Sequence, residues 1–142
     1  GNGDDVVRLG GGNDWLWANG GNDAVRAGGG DDTVLGREGE DTLSGGGGAD
    51  RLNGGADNDK LRGGNGADVF VFETGTGRDV VRDFETGVDT IEIAGFAAFQ
   101  SFGDLTLTQA GSRVLIDLGN GDEIVLRNLQ VGDLSASDFD FI

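Results

Sequence analysis

A nine-residue repeat occupies the first half of the chain and constrains the fold more than any other feature of the sequence. Between Gly1 and Val71 the unit reads G-G-x-G-x-D-x-U-x, where U is an apolar residue. A period of nine matches neither the two-residue alternation of a plain strand nor the 3.6-residue period of a helix. The Asp of the unit recurs without a slip at Asp5, Asp14, Asp23, Asp32, Asp41, Asp50, Asp59 and Asp68.

The unit suits a six-residue turn followed by a three-residue strand, such as Thr33-Val34-Leu35. Because side chains alternate along a strand, the middle residue points inward. Two units then form one coil with turns on opposite sides, so each unit stacks on the unit two positions later. The inward positions are predicted to be Val7, Leu16, Val25, Val34, Leu43, Leu52, Leu61 and Phe70.

The chemistry of the turns indicates binding of Ca²⁺. Glycine reaches positive φ without a Cβ clash and leaves room for backbone carbonyls to converge. Ca²⁺ takes six to eight oxygen ligands from carboxylates and carbonyls, and an Asp beside Gly-opened turns supplies both. The candidate metal ligands are the eight Asp residues of the repeat and the carbonyl groups of Gly10, Gly12, Gly21, Gly28, Gly30, Gly39, Gly46, Gly48, Gly64 and Gly66.

This unit resembles the RTX (repeats-in-toxin) calcium-binding nonapeptide repeat. The resemblance implies an all-β protein, with a right-handed parallel β-roll (β-helix) at residues 1–71 and a β-rich C-terminal cap at residues 72–142. It also implies that each Ca²⁺ lies between stacked turns and is shared by an Asp from each. About six inter-turn sites follow, which pair Asp5 with Asp23, Asp14 with Asp32, Asp23 with Asp41, Asp32 with Asp50, Asp41 with Asp59, and Asp50 with Asp68.

Three residues depart from glycine at the second and fourth positions of the unit. Asn19 and Asp57 both tolerate the left-handed region, so we expect the turns to survive, and Asp57 is either a benign replacement or an additional ligand. Arg37 is expected to neutralise part of a nearby carboxylate and to weaken the sites that use its turn. Trp15 and Trp17 flank the inward Leu16 and are expected to point outward, either as a ligand platform or packed against neighbouring residues.

The second half has a different pattern. Residues 78–84 and 88–93, joined by a turn, are similar to the segment that closes the roll in secreted RTX proteases and lipases. The resemblance makes Asp79 and Asp89 candidate ligands of a further Ca²⁺, with a solvated polar strand face as the alternative. Next come an irregular or helical aromatic segment at 96–102, three strands at 105–108, 113–118 and 123–127, and one helical turn at 134–139.

Composition excludes several classes of function. The net charge of −16 argues against nucleic acid and anionic membrane surfaces as partners. With no His and no Cys, the chain lacks Ser–His–Asp, Cys–His and His-ligated zinc sites, and the regular Asp spacing assigns the carboxylates to metal, so we expect no enzyme here. No apolar run is long enough to span a bilayer. Because the chain starts inside a repeat without a signal peptide, we expect it to be a fragment with an upstream domain.

The sequence therefore predicts a secreted calcium-binding module that is disordered without Ca²⁺ and folds outside the cell. The resemblance implies type I secretion machinery and the upstream domain of the same polypeptide as partners. The last five residues, Asp138 to Ile142, resemble the C-terminal signal of type I substrates, with a final strand of the cap as the alternative. A second hypothesis is a module that binds polysaccharide or a cell surface, as in alginate epimerases and adhesins, through Arg8, Arg26, Arg62 and the Trp pair.

Overall fold

The computed structural model describes all 142 residues, which form two β-sheets on either side of a narrow core. The strands of the repeats are β1 Val6–Gly11, β2 Trp15–Gly20, β3 Ala24–Gly29, β4 Thr33–Glu38, β5 Thr42–Gly47, β6 Arg51–Ala56, β7 Lys60–Asn65 and β8 Val69–Glu73. The later strands are β9 Arg78–Val81, β10 Thr90–Ala94, β11 Thr106–Ala110, β12 Arg113–Gly119, β13 Asp122–Arg127 and β14 Phe139–Phe141.

Successive units alternate between the two sheets. The first sheet has the order β1-β3-β5-β7-β9-β13-β12-β11, and the second has the order β14-β10-β8-β6-β4-β2. Each unit pairs in parallel with the unit two positions later, so that Val25 aligns with Leu43 and Val34 with Leu52. This register confirms the predicted two-unit coil and gives an all-β solenoid of about 5 turns.

The strands of the repeats are longer than the three residues that we expected. Most of them contain six residues, because the parallel ladder continues into the glycine pair of the next turn. Gly28 aligns with Gly46, and Gly29 aligns with Gly47. The turns of adjacent coils are therefore held by the same backbone hydrogen bonds as the strands.

The core of the roll is one side chain wide in each sheet from β4 to β7, whereas Leu9, Ala18 and Ala27 add a second inward side chain in the first coils. The predicted inward residues are fully buried from Val25 to Phe70, whereas Val7 and Leu16 in the first coil are only partly buried. The core widens toward the second half, where the rings of Phe70 and Phe84 pack at 6.2 Å. One apolar residue per nine gives the repeats little hydrophobic stabilisation of their own.

The cap extends both sheets of the roll. β13 pairs in parallel with β9, and the antiparallel β12 and β11 follow it, while β10 pairs in parallel with β8. The three predicted strands correspond to β11, β12 and β13, and Asn120 and Gly121 form the predicted hairpin turn with φ of 55° and 92°. Three-residue 3₁₀ turns occur at Phe102–Asp104, Val131–Asp133 and Ala136–Asp138, and the last of these is the predicted helical turn.

The chain's last residues form a strand of the second sheet. β14 pairs in parallel with β10, so that Phe139 aligns with Ile91 and Phe141 with Ile93. The final-strand interpretation of residues 138–142 is thus confirmed, while their reading as a secretion signal stays a prediction. The 3₁₀ turns are the only helices, and none has the length and apolarity needed to cross a membrane.

We expect Gly46→Ala to destabilise the roll far more than Gly47→Ala. Gly46 has φ of 126°, and a Cβ there would lie 2.1 Å from the carbonyl oxygen of Gly28, whereas a Cβ at Gly47 meets nothing within 4 Å. Strain and overlap at Gly46 should cost at least about 2 kcal/mol of unfolding free energy. Urea denaturation at saturating Ca²⁺ measures both variants, and equal losses would contradict the observed coil spacing.

Candidate calcium site

The Asp residues of the repeat form two columns, one preceding the strands of each sheet. In every predicted pair, the backbone N–H of one Asp donates a hydrogen bond to Oδ1 of the Asp one coil later. The donor–acceptor distances of these bonds are 2.7–2.9 Å. The structure therefore brings together all six pairs that the sequence predicted, with one carboxylate oxygen of each pair fixed by the backbone.

The second carboxylate oxygen is buried and has no partner. Atom Oδ2 makes no hydrogen bond in six consecutive units, at Asp23, Asp32, Asp41, Asp50, Asp59 and Asp68. These residues are only 1–2% exposed. A buried charge without a partner is costly, so this arrangement calls for a cation. Oxygen atoms from carboxylates and carbonyls are the ligands that Ca²⁺ prefers, and the residues present fit that ion.

The environment of these carboxylates opposes their ionisation when no metal is bound. Burial raises the pKa of Asp59 to about 8 and the pKa of Asp41 to about 6, and neighbouring Asp side chains add to the effect. Hydrogen bonds donated by the backbone partly offset the increase. Burial also raises the pKa values of Asp50 and Asp68. A bound divalent cation reverses this preference, because it stabilises the ionised form directly.

The glycine columns have the backbone conformation that the sequence predicted. All ten predicted glycines have positive φ, between 106° and 126°. The carbonyl oxygens of most of them lie close to the glycine one coil later, so that a Cβ at Gly28 would lie only 1.9 Å from the oxygen of Gly10. Gly55, with φ of 107°, belongs to the same column and was missed, although the nine-residue register alone identifies it.

The three replaced glycines keep the same conformation. Asn19, Arg37 and Asp57 have φ of 86°, 90° and 78°, which confirms that the turns tolerate them. The guanidinium of Arg37 lies 5.8 Å from the ring centre of Trp17 and forms no ion pair, so the expected weakening of the sites that use its turn stays a prediction. Oδ2 of Asp57 accepts a hydrogen bond from the N–H of Gly39 at 3.2 Å.

Carboxylates alone do not complete a metal site. No group of three or more acidic side chains converges on one point. The predicted pairs bring two Asp residues to each inter-turn position. That glycine carbonyls supply further oxygen ligands stays a prediction.

Outside the Asp columns, further polar residues form hydrogen bonds between coils, and we call them the outer column. This column was not anticipated from the sequence. Oδ1 of Asp4 accepts a hydrogen bond from the N–H of Asn22, and Oδ1 of Asn22 accepts one from the N–H of Glu40, at 2.8 and 2.9 Å. These bonds run opposite to those of the inner Asp columns. The Asn or Asp that precedes the repeated Asp in several units is the signal that could have identified them.

Asp79 and Asp89 continue the two columns into the cap. Oδ1 of Asp79 accepts a hydrogen bond from the N–H of Asp59, and Oδ1 of Asp89 accepts one from the N–H of Asp68, at 2.8 and 3.0 Å. Both are buried, so the alternative of a solvated strand face is wrong. Their second oxygens are already bonded, to the hydroxyl of Thr76 and the N–H of Glu85. Their role as metal ligands remains a prediction.

A further buried carboxylate, Asp122, lies beyond Asp79 in the cap and was also missed. Asp122 accepts hydrogen bonds from the N–H groups of Gly75 and Gly77, both at 2.9 Å. Both of its oxygens are therefore satisfied by the backbone. It caps the last turn rather than leaving an oxygen for a cation.

The predicted ligand-contact residues on the outer surface do not form one patch. Arg8, Arg26 and Arg62 project from the first sheet, whereas Trp15 and Trp17 belong to the second. Both indoles are exposed, as predicted, and they contact each other edge to face at 6.4 Å. The arginines and the Trp pair therefore cannot contact one short ligand together.

The chain matches a known family of repeats. The family model of the RTX calcium-binding nonapeptide repeat (4 copies) matches residues 1–34 and again residues 35–70. No curated protein matches the sequence.

Solved structures with a similar fold include two subunits, AlgE6R3 and AlgE6R2, of a mannuronan C5-epimerase from Azotobacter vinelandii. AlgE6R3 is 24% identical, with a TM-score of 0.58 over 98% of this chain and 78% of that one. AlgE6R2 is 25% identical, with a TM-score of 0.52 over 96% and 91%. The extracellular lipase LipA from Serratia marcescens is 16% identical, with a TM-score of 0.55 over 96% of this chain, which spans only 38% of the lipase chain.

In the absence of metal, we expect acid to stabilise the folded roll. The folded pKa values of about 6 and about 8 for Asp41 and Asp59 exceed the ordinary value of 3.8, so the folded chain binds more protons than the unfolded chain. Ellipticity of the metal-free chain should show more β structure as the pH falls from about 8 to about 4, whereas saturating Ca²⁺ should abolish or reverse that trend. Loss of β structure on acidification of the metal-free chain would contradict this expectation. The measurement holds only if the chain does not precipitate near its pI of about 4.1.

Proposed function

Because residues 1–70 belong to the RTX calcium-binding nonapeptide repeat family, we propose that this chain is a calcium-dependent folding module. It is disordered without Ca²⁺ and folds when Ca²⁺ occupies the inter-turn sites. The observation that carries the proposal is the run of six buried Asp residues whose Oδ2 atoms have no partner.

Two energetic terms oppose folding without metal. The roll stacks buried carboxylates in columns, and its glycine-rich turns give up more backbone entropy than other residues would. A weak extracellular calcium site with ligand about tenfold above its Kd contributes about 1.4 kcal/mol. Six such sites contribute about 8 kcal/mol, which is comparable to the whole stability of an ordinary domain.

Calcium dependence would couple folding to export. In a cytosol with little free Ca²⁺ the segment stays unfolded and can be threaded through type I secretion machinery. Outside the cell the turns fill, the roll forms and the cap completes both sheets, which supports folding of an upstream domain. The similarity to an extracellular lipase agrees with a secreted location. The proposal assigns the chain no catalytic role, no nucleic-acid partner and no insertion into a membrane.

Circular dichroism of the chelator-stripped chain tests this function. We expect a cooperative change from coil to β structure as Ca²⁺ rises through the sub-millimolar to millimolar range. Mg²⁺ should not replace it, because Mg²⁺ dehydrates reluctantly and demands near-octahedral geometry. A β spectrum that chelation leaves unchanged would sink the proposal.

We expect Asp41→Asn to raise the Ca²⁺ concentration needed for folding, since Asp41 belongs to two predicted sites. Loss of both sites removes about 3 kcal/mol at the same Ca²⁺ excess. Asp31→Asn is the matched control, because exposed Asp31 belongs to the outer column and its Oδ1 accepts the N–H of Ala49, as an Asn would. Equal shifts of the two titration midpoints would show that general charge, not the inner column, controls folding.

A second candidate function is a calcium-stabilised module that binds polysaccharide or a cell surface. Two of the similar structures are subunits of an enzyme named for its action on mannuronan, an acidic polysaccharide. The observation that favours this candidate is the concentration of basic side chains on the outer surface of the first sheet.

A further inference from the structure

The strand register of the first sheet aligns arginine side chains across its outer surface. Arg8 aligns with Arg26, and Ser44 lies between Arg26 and Arg62 in the same line. Val81 aligns with both Leu61 and Leu126. The next residues in these strands, Arg62, Arg82 and Arg127, therefore continue the line. Arg113 then aligns with Arg127. We define the arginine row as Arg8, Arg26, Arg62, Arg82, Arg127 and Arg113.

The row follows one register line across the sheet, and its spacing is that of the strands. It crosses seven neighbouring strands, β1, β3, β5, β7, β9, β13 and β12. Adjacent strands lie about 4.8 Å apart, so the row is about 29 Å long. Every arginine in it is exposed. Half of the row comes from the repeats and half from residues beyond them, so only the folded roll with its cap assembles it.

Most of this positive charge is not neutralised within the chain. Only Arg62 has an acidic partner, with 3.4 Å between its Nε and Oδ2 of Asp83. The acidic side chains on the same surface of the later strands are already engaged. Glu123 bonds to Arg78 at 2.6 Å, and Asp117 accepts the N–H of Gly119. Lys60 lies beside the row and forms no ion pair, which adds a further positive charge.

We propose that the arginine row binds an extended, linear acidic polysaccharide that lies along the roll axis. A guanidinium presents two parallel N–H donors that match a carboxylate. The strand spacing is close to the length of one sugar residue in an extended chain, so uronate carboxylates along the chain can meet arginines on neighbouring strands, except at Ser44. This inference deepens the second candidate function and rests on the calcium-folded roll, because only the coil spacing aligns the row.

The surroundings of the row favour a polysaccharide over a single-stranded nucleic acid. Binding of single strands relies on aromatic side chains on which bases stack. The line of residues beside the arginine row contains no aromatic side chain and consists of Val6, Ala24, Thr42, Lys60, Val80 and Val125. Both Trp residues lie on the other sheet.

Bound Ca²⁺ reduces the net negative charge of the chain, which would otherwise repel a polyanion. The chain carries a net charge of −16, and six bound Ca²⁺ ions would reduce it to −4. The negative charge in the repeats is concentrated in the turns, where the ions bind. The loaded roll therefore presents a basic surface on a nearly neutral body, and polyanion binding should require Ca²⁺ and weaken with salt.

The test is isothermal titration calorimetry of the whole chain in millimolar Ca²⁺ with a mannuronate hexasaccharide, which is too short to gel. The double variant Arg82→Gln/Arg127→Gln is compared with wild type and with Arg37→Gln, a matched exposed arginine on the opposite sheet. We expect the double variant to bind about tenfold more weakly. Arg37→Gln should bind like wild type, and circular dichroism should show all three chains equally folded.

Three outcomes would overturn the inference. They are no hexasaccharide binding by a wild-type chain that has folded on Ca²⁺, equal affinities of the double variant and wild type, or binding of single-stranded oligodeoxythymidylate as tight as that of the hexasaccharide. The first of these leaves the folding function intact. A chain whose spectrum does not respond to Ca²⁺ would instead refute the folding function, so the two failures are distinguishable.

Discussion

The structure depends on carboxylates that are stacked in columns inside the turns of a roll. Each Asp fixes one oxygen to the backbone of the preceding coil and leaves the other buried, with no partner from Asp23 to Asp68. Without a cation, burial raises the pKa of Asp59 to about 8, and repulsion from neighbouring carboxylates adds to the effect. Under the proposed function, a divalent ion between the coils stabilises the ionised form of these oxygens. Folding and metal binding would then be one equilibrium.

In the cap, the Asp columns end with carboxylates whose oxygens are all hydrogen-bonded. Asp79 and Asp89 take the next positions in the two columns, but their second oxygens are satisfied by Thr76 and Glu85. Asp122 then binds two backbone N–H groups with both oxygens. Toward the cap, the carboxylates thus change from ones with an unpartnered oxygen to ones whose two oxygens both accept hydrogen bonds. At the same place the core widens, the first sheet continues into the antiparallel β12 and β11, and the second continues into the parallel β10 and β14, so the last coil does not expose an open end.

Charge is distributed by position in the coil rather than by position in the sequence. The inner acidic residues of the repeats precede the strands, and most of the bases lie on the outer surface of one sheet. A chain of net charge −16 can therefore carry an exposed line of arginines. Under the proposed function, calcium affects both sets of charges, since it neutralises the turns and stabilises the fold that aligns Arg82 with Arg127.

The nine-residue register by itself determined the parallel roll, the inward residues, the positive-φ glycines and the six Asp pairs, because each depends only on a translation that repeats every 18 residues. The same register would have identified Gly55. It did not determine how Asp79 and Asp89 join the columns, since their spacings of 20 and 21 residues break the period and only the sheets show where the chain returns. Nor did it bring Arg113 and Arg127 beside Arg82, because that alignment comes from antiparallel and parallel pairing between distant segments. Contacts that repeat with the period can be predicted from the sequence. Contacts between segments without a common period depend on how those segments pack in the folded chain.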